Sequence, residues 1–439
     1  MKKFLSVILA AVLSVSLCGC DFFTMETEQM LAPPALIGDM APIQQALNES
    51  VKGEYTLKYP TGGEYRSAVI INDIDGDGVF EAFAFYSQTD DGIDYMHINF
   101  ICHKDEKWIS VSDQKLAAGG VDCVDFADLN NNGVLEIIVG FEIYGTSEKQ
   151  LIVFSLEKNV VTQRLVHEYT SFLCCDLDRN GESELFIHHF KSPSSLNAAF
   201  LYTLDSNGAV QLSSCNMDKS VRTASNPVLS VLSSGQPAIY IDEVKGTGNI
   251  TEVLFLSKGN LVNPLLDSET GENTRTLRMS NTAIEDINGD EIIEIPVSVA
   301  MTASEGEEGT EKVYYTKWCS FNGEDMTVKL TTLLNTTDGY YLSVPEKWVG
   351  NITLVRDNDG KSRMIYAYNS AEKTVGAALA FYAAVPLSHW KDYQKNSKDI
   401  IEISRNSTYV FAGKVYKGEG NLFITERELK EMFFLVHNK

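Results

Sequence analysis

Asp73-Ile-Asp75-Gly-Asp77-Gly78-Val79-Phe-Glu81 runs directly into Ala-Phe-Ala-Phe-Tyr86, an acidic turn followed by a β-rich run. The same register returns three times. Asp128-Leu-Asn130-Asn-Asn132-Gly133-Val134-Leu-Glu136 leads into Ile-Ile-Val-Gly-Phe141, and Asp176-Leu-Asp178-Arg-Asn180-Gly181-Glu182-Ser-Glu184 leads into Leu-Phe-Ile-His-His-Phe190. The fourth copy, Asp286-Ile-Asn288-Gly-Asp290-Glu291-Ile292-Ile-Glu294, leads into Ile-Pro-Val-Ser-Val299. A recurring pattern of this kind is the signature of a repeat architecture. The starts at 73, 128, 176 and 286 give intervals of 55, 48 and 110, so a worn copy is expected near residue 231. Ser230-Val-Leu-Ser-Ser234-Gly235-Gln-Pro-Ala238 keeps the glycine and the following Ile239-Tyr-Ile241 but has no carboxylate. A sixth echo, Val355-Arg-Asp357-Asn-Asp359-Gly360-Lys-Ser-Arg363, keeps two acids and has Arg363 where Glu belongs.

Each unit of about 50 residues has room for four short strands, the size of a propeller blade. The expected fold is therefore all-β: a β-propeller of six or seven four-stranded blades over about residues 53 to 420, with short helices at both ends. Seven blades are favoured, because the repeats account for six and residues 370 to 420 leave room for another.

The residue types point to a hard cation. Calcium takes six to eight oxygens, and oxygen-bearing side chains at positions 1, 3 and 5, a backbone carbonyl at position 7 and a later Glu can wrap one ion around a tight turn. The candidate ligands are Asp73, Asp75, Asp77, Val79 and Glu81; Asp128, Asn130, Asn132, Val134 and Glu136; Asp176, Asp178, Asn180, Glu182 and Glu184; and Asp286, Asn288, Asp290, Ile292 and Glu294. Glycine at position 6 permits the sharp turn. An EF-hand is excluded, since that motif needs a bidentate Glu at position 12 and a helix beyond. Here position 12 holds Ala84, Val139, Ile187 and Val297.

These loops resemble the FG-GAP or VCBS-type calcium repeats of integrin-α-like β-propellers, over about residues 60 to 370. The resemblance implies an ion in a hairpin loop at one end of a blade. Two to four Ca²⁺ ions, structural in role, follow as the expectation. The sequence departs from the pattern at Glu291, which replaces the turn glycine, and in the fifth and sixth loops, which lack the Glu and are expected to be empty. Charge ranks the first and third loops as the tightest sites.

The N-terminal stretch reads as an address. Lys2 and Lys3 precede an apolar run from Phe4 to Leu17, too short to span a bilayer as a helix. The run ends in Leu17-Cys18-Gly19-Cys20, which resembles the lipobox of bacterial lipoproteins and implies acylation at Cys20. Residues 1–19 are thus expected to be a lipoprotein signal peptide, 20–38 the lipidated cysteine and a tether, and 39–439 the propeller with flanking helices. Asp39 is the expected cap of a helix running to about Val51, with Pro42 in its first turn and Ile43, Ala46 and Leu47 on one face. Near the other end Thr425-Glu-Arg-Glu428 reads as a capping box, with Leu429, Met432 and Phe433 at helical spacing.

Composition limits the partners. The 439 residues carry 60 acidic against 36 basic side chains, a net charge of -24, whereas nucleic-acid binding needs a basic footprint. Cys102, Cys123, Cys174, Cys175, Cys215 and Cys319 allow disulfides in an exported protein. Several sit where buried strand positions are expected, which favours thiols, and adjacent Cys174 and Cys175 point to opposite faces of a strand. The same alternation separates His188 from His189. One of Tyr314 and Tyr315, and one of Tyr340 and Tyr341, is expected to be exposed, and the acidic stretch Ser304–Glu311 to form a hairpin tip. No His-Glu-x-x-His, phosphate loop, nucleophile elbow or Cys-x-x-Cys pair occurs. No catalytic residue is assigned. The functional expectation is a calcium-stabilised, membrane-anchored binding lipoprotein on the extracytoplasmic face of the cell envelope, with a glycan, peptide or protein ligand. The alternatives are a polysaccharide-acting enzyme on a propeller scaffold and a structural envelope subunit.

Overall fold

Apolar runs on either side of the first three acidic turns pair as antiparallel strands, and the described residues are all-β with three short α-helices. The computed structural model describes residues 40–191, 196–301, 313–356 and 362–436. The leader, Cys20, the tether, Asp39, the 304–311 stretch and the acids Asp357 and Asp359 lie outside the described residues. Contacts divide the chain into two units. Of the described residues, one contains those up to Asp125 with Phe141–Thr146 and Leu156–Val161; the other contains Phe126–Gly140, Ser147–Ser155 and those from Thr162 onward.

Among the described residues the strands form six sheets, each of four or five strands. The first contains β1 (Thr56–Leu57), β2 (Val69–Asn72), β3 (Glu81–Asp90), β4 (Ile93–Lys104) and β5 (Lys107–Leu116), with β1 and β2 both on β3. The second runs in chain order through β6 (Ala118–Ala127), β7 (Glu136–Ile143), β8 (Lys149–Glu157) and β9 (Val160–Tyr169). The third does likewise with β10 (Ser171–Cys175), β11 (Glu184–Lys191), β12 (Leu196–Asp205) and β13 (Gly208–Asn216). In the fourth, β14 (Val221–Ala224) and β15 (Val228–Val231) share β16 (Pro237–Lys245), followed by β17 (Gly248–Ser257) and β18 (Asn260–Val262).

The fifth sheet holds β19 (Ile295–Ala300), β20 (Tyr314–Phe321), β21 (Met326–Asn335) and β22 (Tyr340–Ser343). The sixth holds β23 (Ile352–Arg356), β24 (Ser362–Asn369), β25 (Thr374–Pro386), β26 (Ile401–Arg405) and β27 (Tyr409–Val415), in the order β23-β24-β25-β27-β26. Residues 370 to 420, where room for a seventh unit was expected, thus complete the sixth sheet: β25 continues from β24 in one hairpin and β27 pairs with β25.

Within the second unit, consecutive sheets bury apolar faces together. Cys175, Leu177 and Phe186 of the third sheet pack with Ile239, Ile241 and Leu254 of the fourth. Leu232, Ala238 and Tyr240 of the fourth pack with Ile295 and Phe321 of the fifth, and Tyr340, Leu342 and Trp348 pack with Tyr382 and Phe411 of the sixth. In the first unit α1 (Ala41–Ser50) covers β1–β4 with Ile43, Ala46 and Leu47, as its apolar stripe predicts. Its cap position is Met40, which makes no side-chain cap bond, and Pro42 stands in the first turn. No helix among the described residues is long and apolar enough to cross a membrane.

Two expectations are corrected here. The capping box at Thr425 forms and starts α3 (Glu426–Glu431), following α2 (Trp390–Asn396). But Phe433 does not continue that helix: it begins β28 (Phe433–Leu435), which pairs with β22. That added strand also explains why Tyr340 and Tyr341 are both buried, since Tyr341 stacks on Phe434 at 5.2 Å between ring centroids.

Candidate metal centres

Five copies of the repeat join antiparallel strands of one sheet, and the fourth leads into the first strand of its sheet. The first loop links β2 to β3, the second β6 to β7 and the third β10 to β11; the fourth precedes β19, its ends held by a Glu285–Glu294 bridge. The carboxylate-free fifth loop occupies the same hairpin between β15 and β16, and the sixth lies between β23 and β24.

The four acidic loops share one hydrogen-bond scheme despite their different side chains. The Glu at position 9 accepts from the N–H at position 2: Ile74 to Glu81 at 3.3 Å, Leu129 to Glu136 at 2.9 Å, Leu177 to Glu184 at 2.8 Å and Ile287 to Glu294 at 3.2 Å. The Asp at position 1 accepts from the N–H at position 6, from Gly78, Gly133, Gly181 and Glu291 at 2.8 to 3.0 Å. Val79, Val134, Glu182 and Ile292 donate their N–H groups to the side-chain oxygen at position 5, on Asp77, Asn132, Asn180 and Asp290. The loop backbone thereby turns its carboxylates inward.

Three groups of acids converge: Asp73, Asp75 and Glu81; Asp176, Asp178 and Glu184; and Asp286, Asp290 and Glu294, each with ligand atoms within 4.8 Å of one another. Asp77 falls outside the first group, its Oδ1 accepting from Val79. Clustering and burial perturb the glutamates. Burial, reinforced by Asp75, Asp77 and Asp73, pushes the Glu81 carboxyl up to about 7. Burial together with Asp178 and Asp176 does the same to Glu184, and burial together with Asp290 and Asp286 to Glu294, each to about 7.

Position 3 separates the loops into two kinds. In the second loop Asn130 takes the Asn132 N–H on its own oxygen, and its amide nitrogen donates to Glu136 Oε1 at 2.7 Å. Ser155 supplies a further donor to the same oxygen at 3.1 Å, so Glu136 is fully satisfied by the protein. Asn288 reaches Glu294 Oε1 in the same way at 3.3 Å. The first and third loops have Asp at this position, and among the described residues no donor reaches the second oxygen of Glu81 or Glu184. Asp73 Oδ1 is likewise buried without a hydrogen-bond partner.

Two features were missed in the sequence. Position 4 is left-handed in all four loops, as is position 6: Gly76, Asn131, Arg179 and Gly289 have φ of 54 to 77°, and Glu291 takes φ 66° at the turn-glycine position. The tolerance of Asn for this region was the available signal at Asn131. The second feature is a buried polar network in the second unit. Glu252 accepts from the Asp218 N–H and from the Asn263 and Asn273 amides. Lys245 pairs with Asp218 at 2.7 Å, and Arg278 with Asp242 at 2.7 Å. His188 Nε2 lies 2.7 Å from Asn197 Oδ1, while the Asn197 amide donates to Glu243. Burial, then the charge of Glu252, raises the Glu243 carboxyl well above the usual carboxylate range. Charged residues inside otherwise apolar strands, as in Tyr240-Ile-Asp-Glu-Val-Lys245, were the visible sign.

His188 and His189 do separate as alternation requires: His189 turns to Glu168 at 3.5 Å. None of the six cysteines is in a disulfide. Trp318 and Trp348 are core residues.

No family model matches the chain, and no curated protein matches it. Among solved structures it is similar to the exotype rhamnogalacturonan lyase YesX, at 9% identity and a TM-score of 0.31 over 73% of this chain and 84% of that one. It is also similar to the Bacillus licheniformis rhamnogalacturonan lyase PL11, at 10% identity and 0.32 over 71% and 70%. A third likeness is to the rhamnogalacturonan lyase YesW, at 11% and 0.31 over 73% and 83%. At such TM-scores these likenesses carry no argument about fold or activity.

Proposed function

We propose that this chain is a calcium-stabilised extracytoplasmic binding lipoprotein, anchored through Cys20, whose six sheets are the blades of an FG-GAP or VCBS-type β-propeller presenting loops to a glycan, peptide or protein ligand. Six copies of one loop, five joining paired strands of a sheet and the fourth leading into β19, each assigned to a different sheet, support the repeat reading. The observation that carries the metal reading is Asp73 Oδ1, buried and without a donor beside Asp75 and Glu81. A buried charged oxygen left unpaired is costly, and a hard cation would satisfy it with the oxygens already gathered there. Asp73, Asp75 and Glu81 would hold one ion, Asp176, Asp178 and Glu184 a second, and Asp286, Asp290 and Glu294 a third. The ion's part is to replace repulsion among carboxylates with coordination.

Thermal unfolding with calcium and then with excess chelator, alongside a metal count, tests this reading. A ligand bound by the native state alone raises stability as its concentration exceeds the dissociation constant. A calcium-dependent rise with two or three bound ions is expected; no rise and no bound metal would leave the loops as ordinary acidic turns. Anchoring is tested separately: Cys20→Ala should release the protein from membranes or leave it unprocessed, and unchanged lipid-labelled protein would refute the anchor.

A further inference from the structure

The third loop borders a cleft. About 460 Å³ of space is lined by Asp178 and Glu184 together with Leu212, Leu256, Pro237 and Gln236, a volume within the range of small-molecule sites. Glu184 is 3% exposed and its second carboxylate oxygen carries no hydrogen bond, yet it lines this space. Leu212 stands 47% exposed on β13 in the cleft wall, where a side chain serving only the core would be covered. Gln236 and Pro237 belong to the fifth copy of the repeat, the one that has lost every carboxylate. The worn loop therefore furnishes neutral and apolar lining to a space that the third loop lines with acids.

We infer that this cleft is a binding site for a neutral saccharide, with Asp178 and Glu184 meeting its hydroxyls and Leu212 and Leu256 its C–H face. The inference rests on the metal reading of the third loop. Charge selects the ligand class. Asp178 and Glu184, which line the cleft, cluster with Asp176; three carboxylates stay net negative around a divalent ion, and the chain carries -24 overall. A carboxylate or phosphate ligand is repelled by that cluster, whereas hydroxyls are neutral oxygen donors that enter a calcium shell as water does. The carboxylates also accept hydrogen bonds from hydroxyls. The leucines add an apolar surface that fits the C–H face of a sugar ring and has no use for a fully solvated ion.

The purified protein is titrated calorimetrically with D-mannose, D-galactose and D-glucose, and with N-acetyl-leucine as an anionic, apolar control, in calcium and in excess chelator. Saccharide binding that requires calcium, and that weakens roughly three- to tenfold in Leu212→Ala from lost apolar contact while the bound-calcium count stays unchanged, supports the inference. Asp178→Asn should lose both the third-loop ion and the saccharide. Bound calcium without saccharide binding, an unaffected Leu212→Ala, or preference for N-acetyl-leucine would each overturn the saccharide site and leave the metal reading standing. A chain that binds no calcium overturns both.

Discussion

Exchanging the side chains at position 3 between the first and second loops tests what separates the two kinds of loop. In Asp75→Asn a carboxylate facing Glu81 becomes an amide, the arrangement that Asn130 provides for Glu136 at 2.7 Å. With Glu81 ionised, above its raised value of about 7, two unit charges no more than 4.8 Å apart repel by about 3.5 kcal/mol at an effective dielectric of 20 and by about 1 kcal/mol in water. Asp75 is exposed and Glu81 half-buried, so relief of about 1 to 3 kcal/mol is expected without calcium. A saturated site contributes about 2.7 kcal/mol at a hundredfold excess over its dissociation constant, and the variant forfeits part of that. The gap between calcium and chelator therefore narrows from both sides. Hydrogen exchange of peptides spanning β2 and β3 reads this locally: in chelator, Asp75→Asn should slow exchange by roughly 5- to 150-fold, the equivalent of 1 to 3 kcal/mol. Asn130→Asp should do the opposite in β6 and β7, speeding exchange in chelator and creating a calcium dependence there. If chelated Asp75→Asn exchanges as fast as the wild type, or Asn130→Asp acquires no calcium dependence, the amide is not standing in for the ion.

Further expectations concern other parts of the molecule. Glu291→Gly should stabilise the protein by about 1 kcal/mol in chemical denaturation, because a non-glycine residue at φ 66° bears a left-handed penalty of that order; a loss would show that the Glu291 side chain contributes more than the strain it carries. Burial lowers the His188 imidazole to about 4, below its value of about 6.5 in the unfolded chain. Its contribution is thus present above pH 6.5 and lost as pH falls towards 4, by up to about 3 kcal/mol. The raised Glu243 works in the opposite sense, so the test is the stability difference between wild type and His188→Gln at pH 7 and at pH 5, and a pH-independent difference would contradict it. Burial pushes the Cys102 and Cys175 thiols up to about 12. Unreduced protein should therefore take up much more thiol reagent when denatured than when native, and equal labelling of the two states would count against buried thiols.

What could be read in advance was what short-range chemistry dictates. The acidic turn and the apolar run after it are local, so the loop positions, the strands they open and the capping box at Thr425 were all visible. Leu429 could likewise be placed inside, because a single helix decides its face. Sheet membership is different: β25 and β27 look like a further unit until long-range pairing draws them into the sixth sheet, and Phe433 looks helical until β22 offers it a ladder. The pairing of Asn130 with Glu136 was legible as composition but not as geometry, since Asn can present either an oxygen or an amide to a neighbour. The network around Glu243 and Glu252 was the least accessible, because its members come from four stretches between His188 and Arg278 and meet only once the sheets are packed.

The short β28 has a consequence beyond the three residues it orders. By pairing with Tyr340–Leu342 it covers what would otherwise be the outer edge of the fifth sheet, with flanking bonds from Ser343 to Met432 and from Val436 to Gly339. An uncovered edge rich in tyrosine and leucine is a template for a strand from another chain. Loss of residues beyond Glu431 should therefore convert a monomolecular seal into an intermolecular one, and the truncated protein should self-associate through β22 before it loses its remaining sheets.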